Sequence, residues 1–121
     1  MLSLAVAVAA GLGAVVRYVV DNVVQHRTGG DFPYGTLLIN VTGSLLLGLT
    51  TGLTMHHGLS NDVALVVGTG FAGGYTTLST WTWESVALAE RGDRLEAGLN
   101  VVGSIAAGLA AAAAGLGLAL L

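Results

Sequence analysis

Four apolar stretches alternate with short polar breaks along the chain. The first runs from about Leu2 to Val20, and the break DNVVQHRTGGDFP, with the only proline, Pro33, follows it. The second runs from about Tyr34 to Met55 and gives way to HHGLSND. The third, from about Val63 to Ala89, ends at ERGDRLE, and the fourth runs from about Ala97 to Leu121. A helix needs roughly 20 apolar residues to cross a hydrocarbon layer of about 30 Å at about 1.5 Å per residue, and all four stretches qualify. The fourth, GLNVVGSIAAGLAAAAAGLGLALL, lacks the polar stripe of a helix in a water-soluble bundle. The pattern predicts an all-α membrane protein of four transmembrane helices, forming one domain over residues 1–121.

Composition strengthens that reading. The 121 residues are 54% hydrophobic and 9% charged, against about 25% charged in an average soluble domain. So few charges cannot build a polar shell, and lipid takes the place of water around the outside. Cysteine is absent, which excludes a disulfide framework and thiolate metal sites. Lysine is absent too, and no basic run suggests nucleic acid. The opening MLSLAVAVAAGLGA lacks the positively charged start of a secretion signal, so it is expected to stay as the first span. Arg27, Arg91 and Arg94 fall in the loops after the first and third spans, with Arg17 near that end of the first. The opposite side has no Arg or Lys, which predicts those loops in the cytoplasm and both termini outside. Small residues recur four apart at Gly48 and Gly52, Gly70 and Gly74, and Ser104 and Gly108, a spacing that lets helix backbones approach closely.

Polar groups inside a span are costly and usually have a partner or a task. Asn40, in GTLLINVTGS, offers two donors and an acceptor, for an interhelical bond or for a ligand. Residues 68 to 85, GTGFAGGYTTLSTWTWES, hold Gly68, Gly70, Gly73 and Gly74 within seven positions, followed by a run of hydroxyls. Glycine tolerates unusual dihedrals, so the third helix is expected to unwind at these glycines in mid-membrane and free carbonyls for a cation. Beyond the break, Thr76, Ser79, Thr80, Trp83 and Glu84 are spaced to form one polar face, with Leu78 and Trp81 on an adjacent one. Arg17 either snorkels to the interface or draws anions to a vestibule. His26, His56 and His57 fall in predicted loops and are expected to be solvated. No nucleophile–base pair, phosphate loop or metal-ligand spacing points to an enzyme.

GLGAVVRY near the amino terminus, YGTLLINVTGSLLLG in the second stretch and GFAGGYTTLSTWTWE in the third resemble, in order and separation, the signature stretches of the fluoride-specific ion channel family (Fluc, or CrcB). The resemblance covers nearly the whole chain. It implies an antiparallel dimer of four-helix subunits in the cell membrane, passively exporting fluoride from the cytoplasm. It implies a structural sodium ion, Na+, held by the main-chain carbonyls of Gly73 and Thr76. It puts Asn40, Ser79, Thr80 and Ser104 on the fluoride pathway, and Arg17 and Glu84 at its vestibules. The family's usual pore phenylalanines are Leu78 and Trp81 here, and a frequent aromatic of the fourth helix is Asn100. The arginine bias suits one fixed orientation, hence a dimer with a second, paralogous subunit better than one with itself. A four-helix exporter of cationic drugs would need a carboxylate in the first span, which has only Arg17. A purely structural membrane subunit would leave Asn40 and the hydroxyl face without a purpose.

Overall fold

The computed structural model describes residues 1–121 and is helical throughout. Helix α1 spans Leu2–Thr28 and α2 Tyr34–His57. The third stretch opens with α3 (Asn61–Ala64), capped by the Ser60 hydroxyl accepting from the Val63 N–H at 3.2 Å. It widens into a π-helix over Leu65–Ala72 and tightens again in α4 (Gly73–Tyr75). Thr76, Thr77 and Leu78 are not helical, and α5 (Ser79–Glu90) resumes beyond them. The last stretch is α6 (Arg94–Gly98), a π-helical turn at Leu99–Gly103, and α7 (Ser104–Leu118).

Three helices are long and apolar enough to cross a membrane: Leu2–Thr28, Tyr34–His57 and Arg94–Leu118. The third apolar stretch differs because it is cut in two. Only 20 of the 121 residues are buried, and large apolar side chains such as Leu12, Leu109 and Val102 stand outward. A surface of that kind matches lipid or another protein rather than water.

The glycines do not unwind the third stretch. Gly73 has helical dihedrals, φ −62° and ψ −41°, and positive φ occurs only at Gly29, Gly30, Gly58 and Gly92. The break falls at Thr76, where φ −80° and ψ 159° make the chain extended. The glycines instead bring backbones together. A Cβ on Gly74 would run into the main chain of Ala10, and one on Gly70 would lie 3.0 Å from the Ala9 Cβ. In the same way Gly13 of α1 abuts the main chain of Phe71 and Tyr75. Between α2 and the last helix, Gly48 meets Ala112, and Gly115 meets Leu45 and Leu49. Close approach of this kind maximises dispersion contact where no hydrophobic force drives helices together.

Loops are tied by side chains. Gln25 donates to the Phe32 carbonyl at 3.0 Å and accepts from the Gly35 N–H at 3.3 Å, which fixes the turn through Gly29 and Gly30. The histidines do not lie in loops. His26 occupies the last turn of α1, and His56 and His57 the last turn of α2. His57 Nε2 also meets the Ala119 carbonyl, joining α2 to the end of the chain.

Replacing Gly74 by valine is expected to lower stability by ~3 kcal/mol or more, since main-chain atoms of Ala10 cannot yield as a side chain would. The same change at Gly117, whose Cβ would meet nothing within 4 Å, is expected to be tolerated. Thermal unfolding of the two variants in detergent checks the contrast.

Candidate functional site

A groove of about 520 Å³ lies between α2, the broken third stretch and α7. Six of the residues expected on the ion pathway or at the cation line it: Asn40, Gly73, Thr76, Leu78, Trp81 and Ser104. The four others lie elsewhere. Arg17 and Thr80 line a second cavity of about 270 Å³, Glu84 lines a third, and Ser79 is exposed. Thr77, not singled out by the sequence pattern, lines both the groove and the Arg17 cavity.

The break is organised by Asn40. Its Nδ2 donates to the Thr77 carbonyl at 2.9 Å, and its Oδ1 accepts from the Thr77 N–H at 2.9 Å. The amide thus pairs with the N–H and carbonyl of one residue as a neighbouring strand would, satisfying two of the groups released by the broken helix. One Nδ2 hydrogen remains for another acceptor. Gly43 allows the break to come close, because a Cβ there would strike the Thr76 side chain.

Freed carbonyls follow from this arrangement. The Thr77 N–H, the helical partner of the Gly73 carbonyl, goes to Asn40 instead. Thr76 donates to the Ala72 carbonyl through both its N–H and its hydroxyl, at 2.9 Å each. The Thr80 N–H, which would serve the Thr76 carbonyl in a continuous helix, is given to Thr77 Oγ1 at 3.2 Å. Gly73 and Thr76 therefore present neutral, hard oxygens at the groove, a donor type that suits sodium, magnesium or calcium better than a soft metal. A Cβ on Gly73 would find only the Gly68 carbonyl, at 4.0 Å, so its outer side is open within the chain.

Hydroxyls cluster after the break. Thr77 Oγ1 donates to Thr80 Oγ1 at 3.1 Å and lies 3.5 Å from Ser79 Oγ. On the other wall, Trp81 Nε1 donates to the Asn100 carbonyl at 2.9 Å, so the indole donor is already occupied. Asn100 is fully buried. Its Nδ2 donates to Ser85 Oγ at 2.8 Å, and its Oδ1 accepts from Ser104 Oγ at 3.3 Å. In the sequence Asn100 stood out as a departure from the family's frequent fourth-helix aromatic, with nothing to tie it to Trp81.

The Arg17 cavity is bordered by Asp21, Thr36, Thr77 and Thr80. Arg17 Nε is buried without a hydrogen-bond partner, and the one ion pair of the chain joins Arg91 to Asp31 at 3.3 Å instead. Glu84 accepts from the Thr36 hydroxyl at 2.6 Å, which ties α5 to the start of α2. Together these features place polar groups on either side of Thr77: Arg17 at one cavity, and an amide, hydroxyls and a ring at the other.

A family model described as CrcB-like protein, Camphor Resistance (CrcB), matches residues 4–116. The chain is 52% identical over 115 residues to a Leifsonia xyli subsp. xyli (strain CTCB07) protein named fluoride-specific ion channel FluC 1, covering 95% of this chain and 82% of that one. It is 48% identical over 105 residues to fluoride-specific ion channel FluC 2 of Mycobacterium tuberculosis (strain ATCC 25618 / H37Rv), covering 87% and 80%. To fluoride-specific ion channel FluC of Methylobacterium sp. (strain 4-46) it is 46% identical over 112 residues, covering 92% and 90%.

Asn40→Leu removes both hydrogen bonds to the Thr77 peptide and leaves its N–H and carbonyl unpaired. The expected loss of stability is ~2–4 kcal/mol, read as a lower unfolding temperature and faster backbone hydrogen exchange at residues 76–78.

Proposed function

The chain belongs to the CrcB family, and on that premise we propose that it is a subunit of a passive, fluoride-specific membrane channel that lets fluoride leave the cytoplasm. The observation that carries this reading is the groove at the break, where a free amide hydrogen, hydroxyls and an aromatic ring converge without a charged side chain. Fluoride is small and strongly hydrated, and removing its water costs many kcal/mol unless dense donors replace the shell. The remaining Asn40 Nδ2 hydrogen and the electropositive edge of an aromatic ring are donors of that kind in the groove, with the hydroxyls of Ser79 and Thr80 beyond Thr77, while Ser104 could donate only by leaving Asn100. A carboxylate or ammonium in the same place would repel the anion or hold it too long for conduction. The Arg17 guanidinium, with its unpartnered Nε, raises the local anion concentration at the vestibule. Glu84, held by Thr36, stands at another mouth and would turn anions toward that arginine.

In this reading the working unit is an antiparallel pair of four-span subunits, with the split third stretch as the fourth span. The open side of Gly73 supports it, because the chain itself leaves room there for a neighbour's backbone. The Gly73 and Thr76 carbonyls fit a structural sodium ion, being neutral oxygens released from the helical ladder. Such an ion would supply fixed positive potential and a cross-link between chains. The partner is either a second copy or a paralogous chain, and the arginine bias favours a fixed orientation and hence the latter.

Purified protein in liposomes loaded with fluoride is expected to release it down its gradient, without a proton or sodium gradient and with little chloride release. Proton-coupled export of a cationic drug, or no flux from this chain alone or with its paralogue, would overturn the channel reading. Flux from this chain alone would exclude an obligate second subunit. Gly73→Val is expected to fold as a monomer of near-normal stability but to lose dimerisation and flux. Cross-linking in membranes and size-exclusion chromatography check this.

A further inference from the structure

The groove wall contains an indole whose donor is turned away from the groove. Trp81 lines that wall, yet its Nε1–H is committed to the Asn100 carbonyl. What the indole has left to offer the groove is its carbon perimeter, whose C–H edge is weakly electropositive. The backbone of Trp81 is held as well. Its carbonyl accepts from Ser85 Oγ at 2.8 Å, and that same oxygen accepts from Asn100 Nδ2. Asn100 therefore grips Trp81 twice, by its own carbonyl at the ring and by its side chain, through Ser85, at the main chain. The buried amide is closed at both ends, since Ser104 occupies its oxygen. A buried network of this kind specifies geometry rather than merely filling space.

We propose that the Asn100 side chain is a positioning group: through Ser85 and Ser104 it holds its own main-chain carbonyl against the Trp81 N–H and so keeps that donor out of the ion pathway, leaving the wall to present a ring edge to a passing anion. The proposal rests on the fluoride-channel reading. An N–H hydrogen bond to a bare fluoride ion is charge-assisted and much stronger than a C–H edge contact. Conduction needs sites favourable enough to enter but weak enough to leave. Tying the donor back keeps this site on the weak side of that balance, and lets tryptophan stand where the N–H alone would trap the ion.

The test separates a released indole from a damaged fold. Asn100→Leu keeps the main-chain acceptor of the indole but cuts the side-chain ties that place it, and Ser85→Ala, the milder variant should the first fail to fold, cuts one of them; both are reconstituted in liposomes, and fluoride flux is measured against fluoride concentration. Release of the indole is expected to lower the maximal flux and also the half-saturating fluoride concentration, each roughly tenfold, as a strong hydrogen bond replaces a weak contact. In a Trp81→Phe background, which has no N–H, Asn100→Leu is expected to leave the half-saturating concentration where it stands. Trp83→Phe makes Trp81 the only indole of the chain, and time-resolved anisotropy should then show a fast ring motion on adding Asn100→Leu or Ser85→Ala. An indole equally rigid in both variants would overturn the proposal, as would a lower maximal flux with half-saturation unchanged. Should the unaltered protein carry no fluoride, the channel reading falls, while anisotropy alone still decides whether Asn100 holds the ring.

Discussion

The architecture of the groove depends on one side-chain amide pairing with the main chain of one residue. Asn40 supplies both an acceptor and a donor to Thr77, and only a primary amide has that pair of functions at the right separation. Without it, the interrupted helix would leave the Thr77 N–H and carbonyl without a protein partner. With it, the interruption is stable and the carbonyls on either side are free for other uses. Gly43 is the second half of the device, because α2 can carry Asn40 to the break only if nothing projects from its own surface toward Thr76.

Much of this was legible in the sequence. The apolar runs located every long helix, because the spanning-length requirement acts on composition alone. Asn40 stood out because an amide is expensive where it lies. The glycines were legible as special but not in their function. Gly70, in the π-helix, and Gly74, in α4, both keep helical backbone and face α1, and that facing depends on which helix lies across from them, which one chain's periodicity does not state. The interruption moved to Thr76, Thr77 and Leu78, none of which is a helix breaker by type. It occurs there because Asn40 offers a better partner than the next turn does, a tertiary preference over a local one. For the same reason, Trp81 and Asn100 lie nineteen positions apart with nothing in the sequence to join them.

The two π-helical turns, at Leu65–Ala72 and Leu99–Gly103, flank this region on both sides. A π turn takes up more residues per turn than an α turn and shifts the faces beyond it. The first precedes the stretch that carries Gly73 to the groove, and the second contains Asn100, which reaches Trp81 across the gap. Both adjust where side chains point without disturbing the long axes that hold the molecule together.

Gly73 has an implication for how two such chains would choose each other. Its exposed side and the liberated oxygens beside it are main-chain atoms, common to every amino acid. Docking through them would be indifferent to most of the sequence and intolerant only of bulk at that point. Duplicated copies could then diverge widely over their lipid-facing flanks and still interlock, as long as each kept that one position bare.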